Sequence, residues 1–307
     1  MPKATWTDAL LWLALAAMWS TSYAVIKIGV ATTDPAVLVF GRLLIGSTVI
    51  YVVLKLRRLS LSRKATDWIS YTAAGLLGSA LPFLLITYGE QSVDSALASI
   101  LMGIAPVATI LLASITIPSE RLTPRTAIGA LGGFLGVALL VGPTALSGLG
   151  AQLGGQSAII AATFCYAAST VYVRRFVTRP PLEMAAGSMM VGTLFIGAII
   201  LATEGSFNSI AFTGPSLGAI LYLGLLSTAC ANLIYFYLVP RLGATRMSQI
   251  NFAVPVGGAF IGVFMLGDEM TAQRILALLI IIGSVYLGTT KTSRQAKPPR
   301  QTLRTAR

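Results

Sequence analysis

The chain has 307 residues, of which 55% are hydrophobic and only 10% are charged, and its mean hydropathy is +0.81. This composition lies well outside the range of soluble domains, so the sequence indicates an integral membrane protein. The formal net charge of +12 would favour a nucleic-acid partner in a soluble protein. We expect no nucleic-acid partner here, because the charges follow a topological pattern.

Apolar stretches of about 20 residues, the length that crosses a bilayer core of about 30 Å, recur along the whole chain. We predict ten spans, at residues 8–29, 35–54, 68–89, 93–117, 124–141, 154–173, 183–203, 215–238, 244–266 and 272–289. The first span resembles a signal peptide, but it continues to Val30 without a convincing cleavage site, so we interpret it as a retained helix. The predicted fold class is an all-α polytopic membrane protein.

The basic residues predict the orientation of these spans. If the N-terminus is inside, the inner segments hold 19 of the 22 Lys and Arg, whereas the outer loops at 89–95 and 142–156 hold none. The positive-inside rule therefore predicts that both termini are cytoplasmic.

The sequence contains an internal duplication. Displacing the chain by 149 residues lays residues 75–88 on 224–237, Pro106 on Pro255 and Glu120 on Glu269 without a gap. At slightly smaller offsets, residues 16–27 match 162–174 and residues 34–46 match 180–192. Each half holds five spans, an odd number, so the copies are expected to be inverted about an axis in the membrane plane. Secondary transporters are often built in this way.

The duplication also predicts the domain organisation. We expect a first five-helix repeat over residues 1–141, a periplasmic linker over 142–153, a second repeat over 154–289 and a disordered basic cytoplasmic tail over 290–307. Cys165 and Cys230 both fall inside predicted spans, so no structural disulfide is expected.

Several motifs carry a family resemblance. They are "MWSTSYAVIK", "FGRLLIG", "GIAPVATILLA", "PSERLT", "LGDEMT" and "GALGGFLGVALLV". In this order and spacing they resemble the drug/metabolite transporter superfamily, in its ten-helix branch with two EamA-type repeats. The resemblance implies an inner-membrane exporter or permease for small metabolites, with a cavity lined mainly by spans 1, 3, 4, 6, 8 and 9. The smaller relatives that exchange drugs for protons carry a glutamate in the first span, and this chain has none there.

The sequence argues against an enzyme. It has no histidine, which removes Ser-His nucleophiles and most metal sites, and no pair of carboxylates lies deep within the spans. No GxxxxGK[ST] motif is present. We therefore expect no catalytic residue, metal or cofactor, and the partners that we expect are a small-molecule metabolite and the lipid bilayer.

Polar and aromatic residues at mid-membrane depth are the candidates for a substrate cavity. Trp19 and Tyr166 are repeat partners, so they are expected on opposite sides of one cavity. The full set of candidates is Trp19, Ser20, Ser22, Tyr23, Tyr166, Ser169, Asn232, Tyr235, Gln249 and Asn251. For any one of these aromatics core packing is the alternative, and for the amides it is hydrogen bonding between helices.

Pro106 and Pro255 occupy one repeat position in spans 4 and 9, and we predict that they are paired bending points. A static kink is the alternative. Small residues near each proline, namely Gly103, Gly257 and Gly258, mark where bending would be easiest.

Charged residues near the membrane need separate explanations. Arg42 and Glu90 are candidates for gating or a charge pair. Arg42 either snorkels outward or pairs with Asp34, Glu90 or Asp94, or else it acts on anionic substrate groups. Lys27 is expected to anchor at the interface. Glu120 and Glu269 are expected to cap the helices that begin after Thr123 and Thr271.

The leading hypothesis is a secondary-active transporter that exports small metabolites, such as amino acids or similar neutral or zwitterionic solutes, by alternating access. A non-transporting membrane scaffold or sensor is the alternative, although the longest loops, of about 15 residues, leave no room for a soluble domain. The sequence leaves open the substrate, the direction of transport, the ion coupling and whether the protein is a monomer or a homodimer.

Overall fold

The computed structural model describes residues 5–93, 95–142, 149–150, 152–204, 213–257 and 271–289. Within these residues the chain is helical and contains no β-strand. This agrees with the predicted all-α class. A backbone that crosses lipid must satisfy its hydrogen bonds internally, and a helix does so within one segment.

We number the helical segments α1 to α10 in chain order, and a segment with an internal break keeps one number. The first half contains α1 (Trp6–Ser20 and Ser22–Val30), α2 (Pro35–Leu56), α3 (Ala65–Gly75, a π-helical stretch Leu76–Ala80, and Leu81–Gly89), α4 (Ser95–Met102 and Ile104–Thr116) and α5 (Pro124–Val141). The second half contains α6 (Leu153–Phe176), α7 (Pro181–Glu204), α8 (Gly214–Tyr222, a π-helical stretch Leu223–Cys230, and Ala231–Leu242), α9 (Ala244–Ser248 and 250–257) and α10 (Ala272–Thr289).

The lengths of these helices support membrane insertion. Among the described residues, seven helices are long and apolar enough to cross a membrane, and they belong to α1, α2, α3, α5, α6, α7 and α8. The helices Ile100–Thr116 of α4 and Ala272–Leu287 of α10 are apolar but shorter, and predicted span 9 continues beyond the described residues. The count of ten spans and the cytoplasmic placement of both termini stay predictions.

Local sequence signals explain where the helices begin. The Asp34 side chain accepts a hydrogen bond from the backbone N–H of Ala36 at 2.7 Å, and Pro35 occupies the first turn of α2. The Thr123 hydroxyl accepts from the backbone N–H of Thr126 at 3.2 Å, at the start of α5. Both are N-caps that satisfy otherwise unpaired backbone donors.

The packing of the helices reflects the duplication. The most extensive contacts join α5 to α10 and α2 to α7, and in each pair the two helices are repeat partners. In the first copy, α3 contacts α6 and α7 of the second copy. In the second copy, the equivalent helix α8 contacts α1 and α2, which are the repeat partners of α6 and α7. The helix pairs thus interchange when the two halves are exchanged, as expected of copies related by a two-fold axis.

Two repeat-equivalent glycines allow close helix contact. A Cβ on Gly41 would lie 2.9 Å from the Ile220 side chain, and a Cβ on Gly187 would lie 2.5 Å from the Tyr71 ring. Tyr71 and Ile220 are 149 positions apart, so both copies use glycine to seat a large side chain of the neighbouring helix. Small residues commonly mark such contacts between membrane helices.

The interruptions in the helices are duplicated too. The π-helical stretches in α3 and α8 overlap when the chain is displaced by 149 residues. In α4 the Gly103 N–H donates to the Ile100 carbonyl at 2.9 Å, and in α9 the Phe252 N–H donates to the Gln249 carbonyl at 3.0 Å. Each tightened turn lies just before the position that a proline occupies in both copies, where one helical donor is missing.

Both helices with a predicted bending point are interrupted before the proline. In α4 the break falls at Gly103, one of the small residues that the sequence indicates. In α9 a break falls at Gln249, on the N-terminal side of Pro255. Gly257 is the last described residue of α9 and Gly258 lies outside the described residues, so bending at these glycines stays a prediction. A break on the N-terminal side is expected because a proline ring disturbs the turn that precedes it.

Candidate functional site

A pocket of about 60 Å³ lies between the two halves of the chain. Its wall combines α1, α3 and α4 of the first half with α6, α8 and α9 of the second, the six helices that the family resemblance implies, and α2 adds one residue. The lining residues are Trp19, Ser22, Tyr23, Ile26, Arg42, Phe83, Ile86, Met102, Thr109, Tyr166, Thr170, Tyr235, Met247, Ser248, Ile250, Asn251 and Val254. This volume holds only a few water molecules, so a larger solute requires the helices to separate.

Trp19 and Tyr166, the repeat partners, both lie on this wall. The Trp19 indole N–H donates to the Ser227 carbonyl at 3.4 Å, and the Ser227 hydroxyl donates to the Met18 carbonyl at 3.0 Å. Ser227 belongs to the π-helical stretch of α8. The irregular backbone of α8 therefore positions an aromatic side chain of α1, which fits the frequent occurrence of π stretches at functional sites.

A second aromatic side chain faces the pocket from α8. The Tyr235 ring lies 6.3 Å from the Trp19 ring, centroid to centroid, within the range of favourable aromatic contacts. The Tyr235 hydroxyl hydrogen-bonds the Thr170 hydroxyl at 3.0 Å. This contact connects α8 to α6 across the wall and fixes the orientation of the tyrosine.

The break in α9 supplies polar groups to the pocket. Ser248 and Asn251 lie on either side of the turn and both line the wall. The Asn251 side-chain amide donates to the Ser248 carbonyl at 3.0 Å. The interruption of the helix thus brings a hydroxyl and an amide to the same edge of the pocket.

Arg42 is the charged group of the pocket wall. Its side chain is only 3% exposed, its Nε donates to the Thr228 hydroxyl at 3.1 Å, and its guanidinium carbon lies 3.8 Å from the centroid of the Phe83 ring. No ion pair with Arg42 occurs among the described residues. The outward orientation considered from the sequence is therefore wrong, and Arg42 pairs with neither Asp34 nor Glu90. Asp94, the third acidic partner considered from the sequence, lies outside the described residues.

The other candidates from the sequence divide in two groups. Trp19, Ser22, Tyr23, Tyr166, Tyr235 and Asn251 lie on the wall, whereas Ser20, Ser169, Asn232 and Gln249 do not. Their roles in substrate binding stay predictions.

The four residues off the wall are all buried, and they contact or lie within the helices themselves. The Ser20 hydroxyl donates to the Ala16 carbonyl at 2.7 Å, and the Asn232 amide donates to the Thr228 carbonyl at 2.9 Å. Ser169 lies against Gly78, in the π stretch of α3. Gln249 occupies the break in α9, where neither polar atom of its side chain has a hydrogen-bond partner among the residues that the structure describes.

Sequence reasoning did not select several residues of the wall, namely Ile26, Phe83, Ile86, Met102, Thr109, Thr170, Met247, Ser248, Ile250 and Val254. Most are apolar, and in a span that is apolar on every side nothing distinguishes a wall residue from a lipid-facing one. Thr170 is next to Ser169 in sequence, yet one residue of rotation along α6 decides which of the two reaches the pocket.

Lys27 and Glu90 lie near the end of α3. The Lys27 ammonium donates to the backbone carbonyls of Glu90 at 2.7 Å and of Val93 at 3.4 Å. Glu90 is fully buried, and neither of its carboxylate oxygens has a hydrogen-bond partner in the described part of the chain. A cation at these carbonyls is favourable because the C-terminal end of a helix carries partial negative charge.

Glu120 caps a helix, but not the one that follows it. Its carboxylate accepts hydrogen bonds from the backbone N–H groups of Ala244 at 3.1 Å and Thr245 at 2.9 Å, and from Arg174 Nε at 3.1 Å. The Glu120 side chain thus joins the end of α4 to α6 and to the N-terminus of α9. Thr123 caps α5 instead. The repeat partner Glu269 lies outside the described residues.

These features define a class of protein: a polytopic α-helical membrane protein, built from two copies of one helical unit, with a polar and aromatic pocket between them. The EamA-like transporter family model matches the chain twice, at residues 6–142 and 153–290. The chain therefore belongs to the EamA-like transporter family. Its membership of a transporter family favours a non-enzymatic role with a small-molecule substrate.

Two relatives and one solved structure are similar to this chain over most of its length. "Uncharacterized transporter YoaV" of Bacillus subtilis is 24% identical, over 91% of this chain and 95% of that protein. "Probable terminal-alkyne amino-acid exporter" of Streptantibioticus cattleyicolor is 25% identical, over 97% of this chain and 98% of that protein. A solved crystal structure that is 20% identical has a TM-score of 0.75 and covers 92% of this chain and 97% of its own, which shows the fold.

Proposed function

We propose that this protein is a secondary-active transporter that exports small organic solutes, of the amino-acid type or similar zwitterions, across the inner membrane by alternating access. One observation carries the proposal: a pocket lined by aromatic rings, hydroxyls and an amide is bounded by the same helices of both copies, beside their duplicated breaks. Mostly apolar pockets with a few polar groups suit small organic ligands.

The duplicated breaks support alternating access. If the two copies exchange conformations, each broken helix must bend at an equivalent place, and the turns before Pro106 and Pro255 are equivalent places. Hinges of this kind absorb the change in backbone angles while the rest of each bundle moves as a rigid body.

A pair of repeat-equivalent contacts outside the pocket wall also supports this mechanism. Lys27 and Arg174 are repeat partners, and each donates to a backbone carbonyl at the C-terminal end of a helix in its own copy. Lys27 donates to Glu90, which directly follows α3, and Arg174 donates to Pro240, near the end of α8, at 3.0 Å. The predicted topology places Lys27 at the outer side and Arg174 at the inner side. Two equivalent contacts on opposite sides of the membrane are suited to close the pocket on one side at a time.

The direction and solute class rest on similarity. One relative that matches the chain over nearly its whole length is named an amino-acid exporter, and the pocket offers groups that hydrogen-bond small zwitterions. Export would appear as accumulation of the solute in the medium of cells that overexpress the protein.

The decisive experiment is flux in reconstituted liposomes. The purified protein is reconstituted, the liposomes are loaded with a panel of amino acids and small metabolites, and efflux is measured by mass spectrometry. Efflux of at least one solute above that from protein-free liposomes is expected. No flux for any solute would contradict the proposal.

A matched pair of variants tests the pocket itself. Tyr166→Ala removes a ring from the pocket wall, whereas Phe164→Ala removes a ring that is 56% exposed on the same helix. Tyr166→Ala should lower flux at least tenfold, and Phe164→Ala should leave flux within about twofold of wild type, since only the first contacts the solute. Equal flux in both variants would mean that the pocket is not the route.

A further inference from the structure

Arg42 is a buried cation whose charge no described carboxylate neutralises. Its Nε is held by the Thr228 hydroxyl at 3.1 Å, and its guanidinium lies over the Phe83 ring at 3.8 Å. The terminal nitrogens make no hydrogen bond to a described residue, although the residue lines the pocket and is 3% exposed. The guanidinium is therefore oriented by two contacts, and its remaining donors have no partner in the part of the chain that the structure describes.

No described residue of the wall neutralises this charge. Among the lining residues that the structure describes there is no aspartate or glutamate. An isolated buried charge is unfavourable, and such groups normally pair with an opposite charge. The contact with the Phe83 ring and the Thr228 hydroxyl compensates part of the desolvation, but a hydroxyl and a ring face supply no negative charge.

The fold does not require a cation at this position. The repeat partner of Arg42 is Ser188, whose hydroxyl donates to the Ala185 carbonyl within its own helix. The surrounding backbone is nevertheless equivalent in the two copies: a Cβ on Gly224 would contact the Arg42 carbonyl, and a Cβ on Gly75 would contact the Ser188 carbonyl. The same scaffold is built with a serine in one copy, so the guanidinium serves something other than packing.

We infer that Arg42 is the receptor for a carboxylate of the transported solute. A planar guanidinium with free terminal N–H groups matches the two oxygens of a carboxylate better than any other side chain. The substrate class is then an organic carboxylate, either a zwitterion such as an amino acid or an organic acid. Neutral amides and simple amines are excluded, since they would leave the charge unpaired. This inference rests on the proposed function because it concerns the same pocket.

The inference is tested by binding, independently of flux. Detergent-purified protein is titrated in a thermal-shift assay with matched pairs: L-phenylalanine, L-leucine and phenylacetate, each against its carboxamide, at constant chloride concentration. Wild type should bind at least one acid at least tenfold more tightly than its amide. Equal binding of acids and amides, or no binding of any acid, would overturn the inference.

Variants then assign the discrimination to one residue. Arg42→Gln should remove the tenfold preference, Arg42→Lys should retain part of it, and Arg57→Gln, at an exposed arginine just after α2, should keep all of it. If Arg42→Gln does not fold, the Arg42→Lys variant and the comparison of acids with amides in wild type still test the inference. A preference that persists in Arg42→Gln, or protection by chloride alone as large as that by the acids, would overturn the inference.

The result is separable from the proposed function. Flux of neutral amides or amines that does not depend on Arg42 would uphold transport and refute the carboxylate receptor. Arg42-dependent binding of acids without any flux in liposomes would uphold the receptor and refute transport.

Discussion

Glu120 offers a quantitative test of how the broken helix α9 is held in place. Its side chain is 6% exposed and accepts three hydrogen bonds, two from the first backbone N–H groups of α9 and one from Arg174. Hydrogen bonds to charged groups contribute about 1.5–3 kcal/mol each, and removal of one partner from a buried ion pair costs about 3–5 kcal/mol. Because such contributions are not additive, we expect Glu120→Ala to lower the free energy of unfolding by about 3–5 kcal/mol.

Two comparisons separate the charge from the cap. Glu120→Gln keeps an acceptor oxygen but loses the negative charge at the helix N-terminus and at Arg174, so a smaller loss of about 1–2 kcal/mol is expected. Asp34→Ala removes one exposed N-cap hydrogen bond and should cost about 1 kcal/mol.

Melting of the three variants in the same detergent, followed by intrinsic fluorescence, gives the order directly. The predicted order of destabilisation is Glu120→Ala, then Glu120→Gln, then Asp34→Ala, with the last two close together. If Glu120→Ala melts no earlier than Asp34→Ala, the carboxylate does not stabilise the junction of α4, α6 and α9, and the reasoning is refuted.

Further predictions concern packing and bending. Gly187→Ala should destabilise the protein by about 1–3 kcal/mol, because the new methyl group meets an aromatic ring of α3 at 2.5 Å. Gly218→Ala is the control: a Cβ there has no atom within 4 Å, so this variant should be neutral in the same melting assay. Equal effects of the two substitutions would contradict the packing argument. Pro106→Ala and Pro255→Ala should each slow flux more than they weaken solute binding, since bending rather than contact is changed; a loss of affinity without a loss of maximal rate would favour static kinks.

The sequence predicted the helices and their duplication well because both depend on local or periodic information. Apolar length identifies a span, and displaced matches such as Pro106 on Pro255 identify the copies. The turns before both prolines follow from the chemistry of the proline ring. The π-helical stretches at Leu76–Ala80 and Leu223–Cys230 have no such signal, since their residues are as apolar as their neighbours.

The candidate site was predicted less well, because its composition depends on the rotation of each helix. Trp19 lines the pocket, whereas its neighbour Ser20 faces the packing between helices. Membrane helices lack the polar face that reveals rotation in soluble proteins. Long-range partners are equally hidden: the contact of Arg42 with Thr228 and that of Glu120 with α9 join residues more than 120 positions apart.

The presence of Arg42 in one copy only has a consequence for the energetics of the proposed transport cycle. If both copies were identical, exchanging their conformations would produce two states that mirror each other, and a solute would bind equally well from either side. A cation that occurs in the first copy alone removes this equivalence, since Ser188 replaces it in the second. Under the proposed alternating access and carboxylate binding, the inward-open and outward-open states would then differ in their affinity for a carboxylate, so the dissociation constants measured from the two faces of the membrane should be unequal.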